Sequence, residues 1–213
     1  YHAYFPAARW FNFFTGELVH DSFEKGLSTT IDAPLGDYVP LYIRGGTIVH
    51  KQDVKGVQWT GDLTNVYNLV VAFNSSVEGQ GKYEARGFIM GLDNFSDTTV
   101  YDNCVKKDCI IDIVAVAERV VDTNTMKIRF EFNPRDITSS LDEQRISSIV
   151  MYGLPTSRDD REKVGLYRVY GADLRTSPRA AHLDYQAKGV LLFQENEIPI
   201  KKGVSLEILI EAD

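Results

Sequence analysis

Apolar residues in this chain come in short runs, and Gly, Pro, Asn or Asp separate one run from the next. Asp37 to Ile43, Tyr67 to Phe73, Cys109 to Ala117, Met126 to Phe132, Ile146 to Tyr152, Gly165 to Tyr170, Gly189 to Phe193 and Ser205 to Ile210 are such runs, rich in Val, Ile, Phe or Tyr. These side chains suit a pleated, packed surface, and the residues between them suit turns. Met126-Lys127-Ile128-Arg129-Phe130-Glu131-Phe132 alternates strictly, which buries one face of a strand and wets the other. Helical periodicity is scarce, and only Ser139 to Arg145 predicts a helical turn, just ahead of the strand at Ile146. Strand after strand with short turns predicts an all-β fold of consecutive antiparallel β-sandwich domains with little helix.

A length of 213 residues allows one large or two modest domains. A polar stretch from Gln52 to Asp62 with Gly56 and Gly61 marks the boundary, dividing the chain into domains 1–53 and 54–213. With 44% hydrophobic and 25% charged residues the composition is that of a folded protein. The net charge of −7 argues against nucleic acid or an anionic membrane as partner, because both are bound through excess Lys and Arg, which here occur only as pairs such as Lys106-Lys107 and Lys201-Lys202. No apolar run approaches the roughly 18 residues of a transmembrane helix, and the N-terminus lacks the basic-then-apolar order of a leader.

Few residues are spaced for chemistry. The four histidines, His2, His20, His50 and His182, are scattered without metal-binding spacing, so no metal or other cofactor is expected. No Gly-x-Ser-x-Gly elbow is present. Acidic groups such as Asp159-Asp160 and Glu195-Asn196-Glu197 lie in polar segments that read as solvated loops, and none is a catalytic candidate. Cys104 and Cys109 form a Cys-x4-Cys pair without further thiol or imidazole ligands, a poor zinc site that leaves a small disulfide loop or two free thiols. Asn74-Ser75-Ser76 and Asn94-Phe95-Ser96 are glycosylation sequons. In the cluster Trp10, Phe11, Phe13 and Phe14, strand alternation puts Phe11 and Phe13 on one face and Trp10, Asn12 and Phe14 on the other. Trp10 and the isolated Trp59 are the candidates for stacking on sugar rings, against a packing role. Arg44 at the end of an apolar strand needs carboxylate or carbonyl partners if it is buried.

Five blocks in chain order carry a family resemblance: Tyr4-Phe5-Pro6, Arg9-Trp10-Phe11-Asn12, Thr15-Gly16, Ala33-Pro34-Leu35 and Tyr42-Ile43-Arg44-Gly45-Gly46. The set resembles the C-terminal β-domain of family 31 glycoside hydrolases, the α-glucosidases. Further on, Gly87-Phe88-Ile89-Met90 followed by Asp93-Asn94 is similar to the maltase and lysosomal α-glucosidase branch. That branch has Asp-Asp-Gly where this chain has Leu92, Asp93 and Asn94, so the first carboxylate is missing here.

The resemblance implies that the catalytic carboxylates lie on a (β/α)8 barrel N-terminal to residue 1, and that this chain packs against and stabilises that barrel. The whole enzyme is then expected to hydrolyse terminal α-linked glucose with retention, through a covalent intermediate on an Asp. The resemblance also implies a strand ahead of residue 1 that pairs with the Tyr-x-Pro strand, making this a C-terminal piece of a larger protein. Arg44, Gly45, Gly46, Trp10 and Pro34 become structural residues of that domain. Together with the sequons and the cysteine pair, the resemblance favours a secreted or lysosomal location. The alternatives are a carbohydrate-binding module that meets oligosaccharide through Trp10 or Trp59, or a structural protein derived from such an enzyme.

Overall fold

The computed structural model describes residues 1–34, 39–52, 54, 57–58, 63–75, 81–90, 110–121, 123, 125–134, 144–155, 162–170, 179–186, 189–200 and 203–211. Its strands run in the order β1 (His2–Phe5), β2 (Ala8–Asn12), β3 (Leu18–Ser22), β4 (Leu27–Thr30), β5 (Tyr42–Arg44), β6 (Thr47–Gln52), β7 (Val66–Ala72) and β8 (Asn74–Ser75). They continue with β9 (Lys82–Met90), β10 (Ile110–Arg119), β11 (Thr125–Pro134), β12 (Arg145–Tyr152), β13 (Glu162–Tyr170), β14 (Arg179–Gln186), β15 (Gly189–Pro199) and β16 (Ser205–Glu211). The all-β expectation holds, and no helix occurs among the described residues. Most of the expected helical turn, Ser139 to Glu143, lies outside them, and Arg145 already opens β12.

Among the described residues the strands form three sheets. β1 and β4 form a two-stranded sheet, and β3-β2-β5 a three-stranded one. The large sheet has the order β10-β11-β16-β13-β14-β15-β12-β7-β6-β9-β8. A further pairing of β10 with β9 closes it on itself, so that its layers enclose one core. Leu69 and Val71 of β7, Ile113 and Ala115 of β10, Ile128 and Phe130 of β11 and Leu206 and Ile208 of β16 all meet in that core. The strict alternation read in β11 is realised: Met126, Ile128, Phe130 and Phe132 are buried while Arg129 and Glu131 are exposed.

Two pairings depart from the antiparallel expectation. β12 runs parallel to β7 along its whole length, and β6 meets β9 through a parallel bridge at Thr47 and Arg86. Parallel neighbours need a long connection, and the chain between β7 and β12 supplies one by building β8 to β11 on the way. β12 also carries a bulge between Ile146 and Ser148. The extra residue shifts the side-chain period, so that Ile146, Ile149 and Met151 all face the core despite the three-residue gap. The Ser147 and Ser148 hydroxyls both donate to Asn68 Oδ1 beside this irregularity.

Sheet membership changes across Arg44-Gly45-Gly46-Thr47, where β5 ends in the small sheet and β6 begins in the large one. β7 explains how the sheets join. Leu69 and Val71 point into the large core, whereas Val70 and Ala72, equally buried, face Phe11, Ile43 and Tyr152. A strand covered on both faces reads as an unbroken apolar run, which is what Leu69-Val70-Val71-Ala72-Phe73 is.

Candidate functional site

The N-terminal sheets are stacked on the outside of β7 and β12, and the residue alternation in β2 determines what each face touches. Phe11 and its register partner Ile43 of β5 face the large sheet and pack with Val70, Ala72 and Tyr152. Ala8, Trp10 and Tyr42 take the other face, toward β1, where the Phe5 ring lies 5.6 Å from Trp10 and 4.9 Å from Tyr42. The three-stranded sheet is therefore a middle layer. Fully burying an aromatic or branched apolar side chain is worth about 1.5–3 kcal/mol, so the Phe11 and Ile43 contacts are a principal bond between the layers.

Arg9 shares the Phe11 face and serves as the polar clasp of this seam. Its Nη1 donates to the carbonyl oxygens of Gly153 at 3.2 Å and Phe73 at 3.5 Å, and its guanidinium carbon lies 5.3 Å from the centre of the Phe11 ring. Nε sits 3.4 Å from Asp21 Oδ2 on β3 without hydrogen-bond alignment, so that contact is an ion pair only. The side chain is only 13% exposed, and a guanidinium that far from water needs such partners.

The backbone completes the seam at Gly45 and Gly46. Gly45 N–H donates to Arg9 O at 2.8 Å, Gly46 N–H donates to Ala72 O at 2.8 Å, and Arg86 N–H donates to Gly46 O at 3.0 Å. Three elements, β2, β7 and β9, are thus stitched by two residues. A side chain at 45 would begin 3.0 Å from Arg9 Cβ, closer than ordinary contact, and Gly46 has φ +87°, in the left-handed region that favours glycine.

Tyr152 closes the other end. Its hydroxyl donates to Phe13 O at 2.9 Å and its ring lies 6.3 Å from Phe11. Burial pushes the Tyr152 phenol above its ordinary value, as it does for Tyr67, whose ring meets His50 edge-on at 5.5 Å. The His50 ring bonds through Nδ1 to Phe88 O at 3.2 Å.

The residues singled out from sequence divide clearly. Trp10 is half-buried, its indole N–H is given to Pro6 O at 2.9 Å, and its ring is engaged with Phe5, so it packs within the N-terminal layers. Arg44 is exposed, which removes the need for buried partners; parity in β5 turns Ile43 inward and Arg44 out. The buried guanidinium is that of Arg9, and the signal for it was a charged residue two positions from Phe11 on a face already assigned to packing. Phe14 does not continue the strand as expected. β2 stops at Asn12, whose side-chain oxygen accepts from the Phe14 and Thr15 N–H groups and turns the chain, leaving Phe14 51% exposed. Pro34 is exposed in the segment after Ile31. Asn74 lies on the short edge strand β8. Trp59, Asn94, Cys104 and Cys109 lie outside the described residues.

Two further surfaces stand out. Of the ten most exposed large hydrophobic residues described, seven (Tyr1, Tyr4, Phe14, Leu18, Phe23, Val39 and Leu41) fall in the N-terminal layers. A hollow of about 290 Å³, lined by Gly46, Asn74, Ser75, Glu84, Ala85 and Arg86, opens beside the glycine stitch. Among the described residues, no three His, Cys, Asp or Glu side chains converge to hold a metal. Glu84, Glu118, Glu197 and Glu207 each stand within an ion-pair distance of a Lys or Arg on a sheet surface. The arrangement is one of layers and clasps.

An all-β assembly of this kind, with its glycine-rich stitch, agrees with the sequence match: residues 1–49 match the glycosyl hydrolase family 31 C-terminal domain. The match takes in β1 to β5 and the start of β6. A stretch of 83 residues, 38% of this chain, is 35% identical to an α-glucosidase of Mucor javanicus, and 72 residues, 34% of this chain, are 35% identical to glucoamylase 1 of Schwanniomyces occidentalis. Those stretches cover 9% and 7% of the two relatives, so the chain spans a small part of either.

Proposed function

We propose that this chain is the non-catalytic C-terminal part of a family 31 α-glucosidase-like glycoside hydrolase, and that it packs against and stabilises a catalytic (β/α)8 barrel. The observation that carries the reading is the apolar surface of the N-terminal layers. Tyr4 is 65% exposed and Phe23 56% exposed, in the segment that matches the family's C-terminal domain. A concentration of exposed large apolar side chains in one segment is what a contact surface leaves when its partner is removed. The face of β2 bearing Phe11 is already covered by β7 and β12, so the barrel would rest on the remaining aromatic surface. The scaffold holds the barrel's loops in place without touching substrate, and the reaction it supports is retaining hydrolysis of terminal α-linked glucose.

The same reading makes the protein a secretory or lysosomal glycoprotein, with glycans at Asn74 and Asn94 and a Cys104–Cys109 disulfide. The test is native isolation from the source, with intact-mass analysis, non-reducing electrophoresis and assay on a chromogenic α-glucoside. Copurification with, or covalent continuity with, an active barrel is the expected result. A lone, inactive 24.0 kDa species would overturn the proposal.

A further inference from the structure

The hollow beside Gly46 has no part in joining the layers, yet polar groups converge on it. Asn74 and Glu84 are register partners across β8 and β9, and Arg86 follows Glu84 by two, so all three side chains leave the same face of the ribbon. The Asn74 side-chain oxygen is buried and has no hydrogen-bond partner among the described residues. Arg86 is exposed and pairs with no carboxylate among them. Glu84 has Lys82 at 3.4 Å as an exposed companion, and Lys82 also reaches Glu118 at 3.9 Å, so the carboxylate keeps accepting positions for a ligand. A side chain at Gly46 would start 3.5 Å from Asn74 Cβ and project into this space. The second glycine of the stitch is also the one that keeps the hollow open.

The lining selects by charge. A phosphate or sulfate would gain Arg86 and meet Glu84, and an ammonium group would gain Glu84 and meet Arg86. A neutral molecule with adjacent hydroxyls satisfies both, because each hydroxyl donates as well as accepts: to the Glu84 carboxylate, and from the Arg86 guanidinium. A volume of about 290 Å³ lies at the lower end of ligand sites, roughly 300–1,000 Å³, which suits one ring and not a chain. We propose that this hollow is a seat for a single pyranose ring, held edge-on by Glu84 and Arg86 beside Asn74. The ring has two possible sources of the same chemistry: a free saccharide, or the first sugar of a glycan attached to Asn74 itself, which begins a sequon on an edge strand. The seat is independent of the barrel-docking surface, so it can fail while that reading stands.

The test has two arms on the full 213-residue chain. In the first, protein made without glycosylation is titrated with methyl α-glucoside, maltose and N-acetylglucosamine and followed by ligand-observed NMR. Saturable binding that weakens at least tenfold in Glu84→Gln and in Arg86→Ala supports the seat with a free sugar. In the second, protein secreted from a eukaryotic host is mapped by mass spectrometry and exposed, still folded, to peptide-N-glycosidase. A glycan at Asn74 that resists release from the folded parent chain, yet is released from denatured protein and from the folded Glu84→Gln and Arg86→Ala variants, supports the seat with an attached sugar. Ser76→Ala removes the sequon and leaves the lining, and unchanged thermal midpoints show that the variants are folded. Absence of binding in the first arm together with an absent or freely released glycan in the second overturns the proposal.

Discussion

Arg9 donates from Nη1 to the carbonyl oxygen of Gly153 at 3.2 Å, across 144 residues of sequence. The bond runs from the second strand of the chain to the residue just after β12, and it ties the N-terminal layers to the large sheet. Phe11 on the same face supplies the apolar half of the same seam. The two sheets are therefore one mechanical unit, and a change on either side of the seam should be felt as global stability.

Arg9→Ala is expected to lower the unfolding free energy by about 2 kcal/mol, the scale of hydrogen bonds to a charged group at a largely buried site. Urea denaturation measures it. A loss below about 0.5 kcal/mol, the range of ordinary surface substitutions, would show that the clasp is ornamental.

Gly153 has φ +81°, and a Cβ there would stand 2.7 Å from Phe11 Cζ and 3.0 Å from Phe73 O. Gly203 has a similar φ of +77° with nothing within 4 Å. Gly203→Ala should cost roughly the 1–2 kcal/mol of the left-handed backbone alone. Gly153→Ala adds a clash with the seam and should cost at least about 1 kcal/mol more. Equal thermal midpoints for the two variants would contradict the close packing of Phe11 under Gly153.

Tyr67 and Tyr152 both have phenols raised by burial above the ordinary value of 10.0. In the unfolded chain they ionise first, so above pH 10 the unfolded state holds fewer protons and stability falls as pH rises. The contribution is complete below the unfolded value and is lost as pH climbs through the folded one. A stability profile from pH 8 to 12 should bend downward above roughly pH 10, and Tyr152→Phe should shallow the bend while forfeiting about 1 kcal/mol for the bond to Phe13 O. A bend in both Tyr152→Phe and Tyr67→Phe unchanged from that of the parent chain would assign it to other groups.

Tyr4 and Phe23 are exposed, so Tyr4→Glu and Phe23→Glu should leave the stability of the isolated chain within about 0.5 kcal/mol. In the longer protein proposed here the same substitutions bury a charge against the barrel. They should lower the thermal inactivation temperature of α-glucosidase activity with little change in KM. Unaltered inactivation would remove this surface from consideration as the docking face.

Local pattern carried the reading of strands furthest where one face is wet. β11 alternates, and its buried face follows from Met126 to Phe132, although the strand extends to Thr125 and Pro134; the alternating run at β10 was legible for the same reason, and β7 by its unbroken apolar run. β1, β3, β4 and β8 were not legible: they are short, mixed in polarity, and become strands through pairing with β4, β2, β1 and β9. Trp10 and Arg44 attracted notice as residue types, yet their environments were decided by parity. A single step along β2 moves a residue from the β7 side to the β1 side, and a single step along β5 separates the packed Ile43 from the exposed Arg44.

The sequence alone determined that this is a β protein, because period-two burial and turn residues are local properties, and its five ordered blocks carried the likeness to the family 31 C-terminal domain that residues 1–49 match. Only the tertiary structure decided that β7 is covered on both faces, that Arg9 and not Arg44 is the buried cation, and that Gly46, Asn74, Glu84 and Arg86 surround one hollow. Each of these depends on which distant segments meet. Such meetings are settled by the summed burial and pairing of the whole chain, which no short window of residues contains.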